Sequence, residues 1–373
     1  MPWALSVVGI GQAVCYLKTP HMKKILSLLA SLLVLVSTSY ADSSQTISIG
    51  GIFDLSAGGA IWGVSERNAF SLAIKDFEAK NPGTKVRTFI EDSQFSNKQT
   101  ITALQKLISV DKVSYVVGAT WETTVPMLPV CEARKVVCMS PSYHGKEYYQ
   151  RPWRYNFTAW FDDRSYTTAI AEAMNEKEYK NIVVYAAITP YYDALVENFL
   201  KLSKVKPLQV ERMILDERDF RSTISSGPAN VDAIVMLLDN AGQIQAFMKQ
   251  WSELRKDRPD IYSDDLIVFL DPPEDVKRHG FHITYGYPVF DEGVLQEFTK
   301  RYEDTFHEKP QASSASVTYD ETMLILQCAQ KDPSAESVRS CVAATKDYRG
   351  YSGFFSFNGS QTVQGRVVRV KPL

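Results

Sequence analysis

Glu91 and Asp92 are adjacent carboxylates at the end of an expected strand, a pairing that could suggest acid–base work. Two carboxylates act as acid and base only when both face one reacting group. Neighbours on a strand point to opposite faces, so this pair predicts a capping or hinge role. The histidines, His21, His144, His279, His282 and His307, show no H-E-x-x-H pattern or other paired metal-ligand spacing. There is no G-x-x-x-x-G-K-[ST] phosphate loop and no G-x-S-x-G elbow. Gly50-Gly51 and Gly58-Gly59 lack the third glycine of a dinucleotide fingerprint. Nothing singles out a nucleophile with its base, and no metal or cofactor is expected.

The chain has 373 residues, more than one ordinary core supports, so two domains or one large one are expected. With 45% apolar and 23% charged residues it is an ordinary globular protein. A net charge of −2 leaves no basic surplus for a phosphate backbone, which argues against nucleic acid as a partner.

The N-terminus is of a different kind. Met22-Lys-Lys opens a charged region, residues 25–36 are a twelve-residue, predominantly apolar stretch, and Ser39-Tyr40-Ala41 is a small-x-small cleavage pattern. Residues 22–41 therefore read as an export signal cleaved after Ala41, and residues 1–21 as an upstream extension. The apolar run is shorter than the about 20 residues a membrane span needs. Export places Cys131, Cys138, Cys328 and Cys341 where disulfides persist. Of three possible pairings, sequence proximity favours Cys131–Cys138 and Cys328–Cys341; buried free thiols are the alternative.

From Thr46 onward, short β-rich runs alternate with helical patterns, which predicts βαβ units and parallel sheets. Strands are expected at 46–53, 86–91, 113–118 and 136–140, with helices at 65–79, 98–110 and after Thr120. The segment 151–161 lacks either periodicity. A second series follows, with strands at 181–187, 209–215, 231–238, 266–271 and near 283–285, and helices at 193–202 and 241–255. Helices at 294–306, 313–329 and 335–345 come next, then a terminal hairpin of 354–357 with 367–370. Two such series suit two Rossmann-like lobes facing a cleft, because parallel sheets present ligand sites at the carboxyl ends of their strands.

Ile49-Gly-Gly-Ile-Phe-Asp-Leu-Ser, Trp62-Gly, Asn68-Ala-Phe-Ser-Leu-Ala-Ile, Glu91-Asp-Ser-Gln, Leu104-Gln-Lys-Leu-Ile, Val113-Ser-Tyr-Val-Val-Gly and Met139-Ser-Pro-Ser occur in order at one family's spacings. Together they resemble the type I periplasmic solute-binding proteins of ABC transporters, of the branched-chain amino-acid (Leu/Ile/Val-binding) subfamily. Tyr319-Asp-Glu and the Gly353-Phe-Phe-Ser-Phe ending extend the resemblance to the C-terminus. It implies the type I periplasmic binding protein fold: two α/β lobes with parallel central sheets, joined by three hinge crossings near 155–159, 285–288 and 348–354. Lobe one would hold residues 42–157 and 287–350, and lobe two 158–286 and 351–373. The implied function is that of a monomeric periplasmic receptor, not an enzyme, which closes on a small molecule and delivers it to membrane permease subunits.

The resemblance also implies site residues. The loop after the third strand reads Thr120-Trp121-Glu122-Thr123-Thr124; Thr123 and Thr124 match a hydroxyl run that holds a ligand carboxylate, and Glu122 stands where a hydroxyl is usual. In that place Glu122 either complements the helix dipole at the surface or faces the cleft, where it would attract a cation. Trp62 falls where the family meets the ligand side chain. Tyr143 and His144 follow the Ser-Pro-Ser expected near a ligand ammonium, and Tyr191 matches a closing aromatic. Asp239 and either Asp271 or Glu274 would supply an acid for an ammonium group. Trp62, Trp121, Tyr143 and Tyr191 with these acids would favour an aromatic, amine-bearing or quaternary ammonium ligand. A sensor feeding a signalling partner and an exported α/β enzyme are the alternative classes.

Overall fold

The computed structural model describes residues 45–215, 217–269 and 278–373. The predicted leader, Asp271 and Glu274 lie outside the described residues. Strands β1 (Gln45–Phe53), β2 (Thr84–Asp92), β3 (Tyr115–Gly118), β4 (Val137–Met139) and β5 (Asn156–Phe157) form one sheet in the order β2-β1-β3-β4-β5. Strands β6 (Ile182–Ala187), β7 (Gln209–Met213), β8 (Ala233–Leu237), β9 (Asp260–Ser263) and β10 (Ile283–Pro288) belong to a second. A ribbon, β11 (Tyr348–Gly350) with β12 (Gly353–Phe355), precedes β13 (Val368–Pro372), which completes the second sheet in the order β13-β10-β9-β8-β6-β7. Pairing is parallel in β1–β3–β4–β5 and in β7–β6–β8–β9–β10, and antiparallel for β13 on β10. Every residue of β6 and β8 is buried, as a sheet covered by helices on both faces requires.

The helices are α1 (Ala60–Lys80), α2 (Asn97–Ser109), α3 (Met127–Arg134), α4 (Glu147–Gln150), α5 (Arg164–Asn175), α6 (Pro190–Leu202), α7 (Arg221–Ser226), α8 (Ala241–Leu254), α9 (Glu292–Phe306), α10 (Ser314–Lys331) and α11 (Ala335–Ala343). Helix α10 is buried from Ser314 to Leu326 and packs along α1. Polar anchors fix that packing: Ser314 Oγ donates to Glu66 at 2.7 Å, and Tyr319 Oη to Asp76 at 2.9 Å. Arg301 of α9 donates through Nε to the same Asp76 at 2.7 Å. Disulfides join Cys131 to Cys138, tying α3 to β4, and Cys328 to Cys341, tying α10 to α11.

Three expectations need correction. Residues 265–269 form a 3-10 turn, and the strand lies earlier, at β9. An apolar run such as Leu266-Ile-Val-Phe does not by itself distinguish a buried strand from a buried turn of helix, and here Leu266 and Ile267 pack inward from the turn. The two terminal strands exist but do not pair with each other: β12 pairs with β11, and β13 with β10. Phe355 and Phe357 instead join the core around Phe157, and Thr158 N donates to Gln361 O. Helix α5 was not anticipated, although Tyr166, Ile170 and Met174 form a buried stripe at i, i+4 and i+8.

Candidate ligand-binding cleft

Each sheet has a point where the strand order reverses. In the first, β1 lies between β2 and β3; in the second, β6 lies between β7 and β8. Crevices open at the carboxyl ends of such strands, and the loops there are 54–59, 119–126, 188–189 and 238–240.

After β1 the chain must turn hard. Gly63, in the first turn of α1, lies so close to Asp54 that a Cβ would come within 2.1 Å of the Asp54 carbonyl oxygen. Only glycine allows that approach, and it sets Trp62 at the start of the helix and Glu66 one turn deeper. After β3, Gly118, Ala119 and Trp121 all have positive φ (127°, 63° and 46°). Such strain in non-glycine residues costs on the order of 1–3 kcal/mol each and gathers at ligand sites. It turns Trp121 towards Trp62, with ring centroids 4.8 Å apart. After β6, Thr189 caps α6 by accepting from Tyr192 N at 3.2 Å, and Pro190 occupies the first helical position. Tyr191, held there, stacks on Trp121 at 5.9 Å with 9° between the planes. That contact runs from the loop of one sheet to the loop of the other.

Two cavities flank the stack. One, of ≈ 30 Å³, is lined by Trp62, Trp121, Trp160, Tyr166, Tyr191 and Asp265, with Ser142, Leu266, Ser313 and Ser314. That is space for about two waters. The other, of ≈ 200 Å³, includes Phe95, Thr123, Tyr192 and Asp239 in its wall. Among the described residues, neither cavity is lined by Lys, Arg or His. Asp265 accepts from Tyr166 Oη at 3.0 Å, and burial pushes its carboxyl up to about 6. Burial likewise raises Asp163 and Asp264, both further raised by their acidic neighbours.

Trp62, Trp121, Thr123, Tyr191 and Asp239 of the expected set come together here. Glu122 lies in the 3-10 turn Trp121–Thr124. The Thr123 hydroxyl bonds within its own loop, donating to Thr120 O at 2.6 Å, and Thr124 Oγ1 meets Ser140 Oγ at 2.9 Å. Tyr143 packs with Leu128, Tyr148 and Trp153 and donates to Glu147. His144 is sandwiched between Trp160 O, 3.1 Å from Nδ1, and Tyr149 Oη, 2.6 Å from Nε2; burial lowers its pKa. Neither Tyr143 nor His144 is among the residues lining the two cavities; Ser142 is. Sequence reasoning missed Trp160, Tyr166 and Asp265. The misplaced strand explains the last: with β9 ending at Ser263, the acids of the following loop are Asp264 and Asp265.

The sequence profile described as periplasmic binding protein matches residues 46–371. The chain belongs to the periplasmic binding protein family. It is a solute-binding receptor, and the family places it outside the cytoplasm. No curated relative matches the sequence significantly. Solved structures share the fold of this periplasmic binding protein. One is the branched-chain amino acid transporter substrate binding protein LivJ of Streptococcus pneumoniae in complex with isoleucine, with TM-score 0.73 and 20% identity, covering 88% of this chain and 100% of that one. Another is an R. palustris solute binding protein in complex with 4-hydroxybenzoate, with TM-score 0.75 and 18% identity over 88% and 92% of the two chains. A third is an ABC transporter substrate-binding protein of Desulfitobacterium hafniense in complex with Leu, with TM-score 0.72 and 14% identity over 88% and 98%.

Proposed function

We propose that this receptor closes on a small organic cation, an amine or quaternary ammonium compound, and delivers it to the permease of an ABC transporter. The observation that carries the reading is the ring of Trp62, Trp121, Trp160, Tyr166 and Tyr191 around Asp265, with no basic residue among the described residues of the wall. A cation against an aromatic face gains about 0.5–2 kcal/mol, and Asp265 supplies the counter-charge. A ligand carboxylate, such as those of amino acids or aromatic acids, would meet acids here and no cation. Glu122, Asp239, Asp271 and Glu274 stay in the proposed set by their positions in the sequence.

The ligand acts by differential affinity. Trp62 and Trp121 belong to the loops of one sheet, Tyr191 and Asp265 to those of the other, so a ligand touching all four is held fully only in the closed state. The lobes we assign are residues 42–157 with 287–350, and 158–286 with 351–373. The protein is exported, its leader cleaved after Ala41, and acts as a periplasmic monomer without catalysis. Calorimetry with tetramethylammonium, choline, leucine and 4-hydroxybenzoate tests the ligand class. Binding of the cations and not the acids is expected; tight binding of leucine or the benzoate alone overturns it.

A further inference from the structure

Beneath the aromatic ring lies a set of oxygens that the cleft as described does not use. Asp54 Oδ2, Glu66 Oε2, Thr120 Oγ1 and Ser142 Oγ are all buried, and none has a hydrogen-bond partner. The groups are neighbours. Thr120 stands close enough to both carboxyls to favour their ionised forms, and Ser142 does the same for Glu66. Asp54 is held through its other oxygen by Ser93 Oγ and by Phe95 N at 3.1 Å, and Glu66 by Ser314 Oγ at 2.7 Å. One oxygen of each carboxyl is thus fixed to the protein and the second is left over. The cluster adjoins the cavity, because Ser142 and Ser314 line it.

Buried carboxylate oxygens without donors are costly and rare. Two of them, grouped with two buried hydroxyls beside a ligand cavity, make a place that would hold N–H donors from outside the chain. A primary ammonium has three N–H donors and no acceptor, which suits two carboxylate oxygens and two hydroxyls. A quaternary ammonium has no N–H and gains nothing there. Burial, with the Asp54 charge beside it, raises Glu66 to about 7, so the site takes on its full negative charge only above neutrality.

We propose that Asp54, Glu66, Thr120 and Ser142 form a buried subsite for a primary ammonium, and that the ligand is therefore an aliphatic diamine. One end lies in the aromatic ring against Asp265 and the other on the Asp54–Glu66 oxygens. This rests on the cation reading of the cleft and goes further by fixing the number and kind of charges on the ligand. Hydroxyls on the ligand would satisfy the oxygens less well, since each brings one donor for the two charged acceptors.

The test is calorimetry at pH 8 with 1,3-, 1,4- and 1,5-diamines, the matching monoamines and tetramethylammonium, on wild type, Glu66→Gln and Ser142→Ala. One diamine is expected to bind at least tenfold tighter than its monoamine in wild type. That preference should collapse to below threefold in Glu66→Gln and shrink in Ser142→Ala, while tetramethylammonium binding is unchanged in both. Equal binding of diamines and monoamines in wild type overturns the subsite but leaves the cation reading standing, as does a preference that survives Glu66→Gln. Failure of every cation to bind overturns both. Should Glu66→Gln not fold, Ser142→Ala and the wild-type comparison decide the matter.

Discussion

Trp121 and Tyr191 stack nearly parallel, 5.9 Å between centroids, where the loop after β3 meets the helix after β6. The stack separates the two cavities and is the aromatic contact that a ligand entering between the sheets must open. Trp121 holds its side of it at a backbone φ of 46°, with Trp62 and Phe95 against its other faces.

Removing either ring should weaken a cationic ligand. Trp121→Ala or Tyr191→Ala costs about 1–3 kcal/mol of binding, roughly 5- to 150-fold in Kd, whereas Tyr191→Phe keeps the face of the ring and most of the affinity. Titration of tetramethylammonium reads the difference directly.

Asp265 should make that binding depend on pH. Burial, opposed by the hydrogen bond from Tyr166, puts its carboxyl at about 6, with Asp163 and Asp264 nearby. Below that value the counter-charge is lost. Tetramethylammonium, which has no proton to titrate, should bind roughly tenfold more weakly at pH 5 than at pH 8, and Asp265→Asn should be weak at both.

Glu66 should lower stability as pH rises. Its folded value of about 7 exceeds the ordinary 4.5 because of burial and Asp54, against the hydroxyls of Ser314, Ser142 and Thr120; Glu321 is the other acid coupled to it. Between those two values the native state keeps a proton that the unfolded state has lost, so its contribution declines across that window and is flat above it. Ligand-free Glu66→Gln should therefore gain on wild type from pH 4.5 to 7, by on the order of 3 kcal/mol, in urea unfolding at fixed pH.

Gly63→Ala should be severely destabilising. Its new methyl meets backbone rather than a movable side chain, 2.1 Å from Asp54 O. A loss of about 3 kcal/mol and a matching fall in Tm are expected, larger than for alanine at most helical glycines.

Reducing Cys328–Cys341, or changing both to Ala, should cost about 3 kcal/mol by the loop-entropy estimate for a closed segment of this length. Thermal melts with and without reductant check it, with the Cys131–Cys138 pair changed separately.

The fold was legible because it rests on local pattern. Alternating strands and amphipathic helices such as 98–110 and 241–255 have a period readable from order alone, and the seven ordered fragments pointed to the family that the profile over residues 46–371 then gave. Where sequence reading failed, period was ambiguous or partners were distant. The run at Leu266 could be strand or turn, and reading it as a strand passed over Asp265, which lines the smaller cavity. The two terminal strands were assigned to each other because they are near in sequence, though each had a better partner elsewhere.

The sequence by itself determined which loops would end the strands and that Trp62, Trp121 and Tyr191 would stand on them. Only the tertiary structure decided which side chains share a space: that Trp160, Tyr166 and Asp265 close the ring, that His144 is tied up by Trp160 and Tyr149, and that Glu66 lies beneath the floor beside Asp54. Periodicity is a property of neighbours along the chain, whereas a binding cleft is made by residues separated by tens to hundreds of positions, whose meeting depends on how two sheets and a helix such as α10 pack.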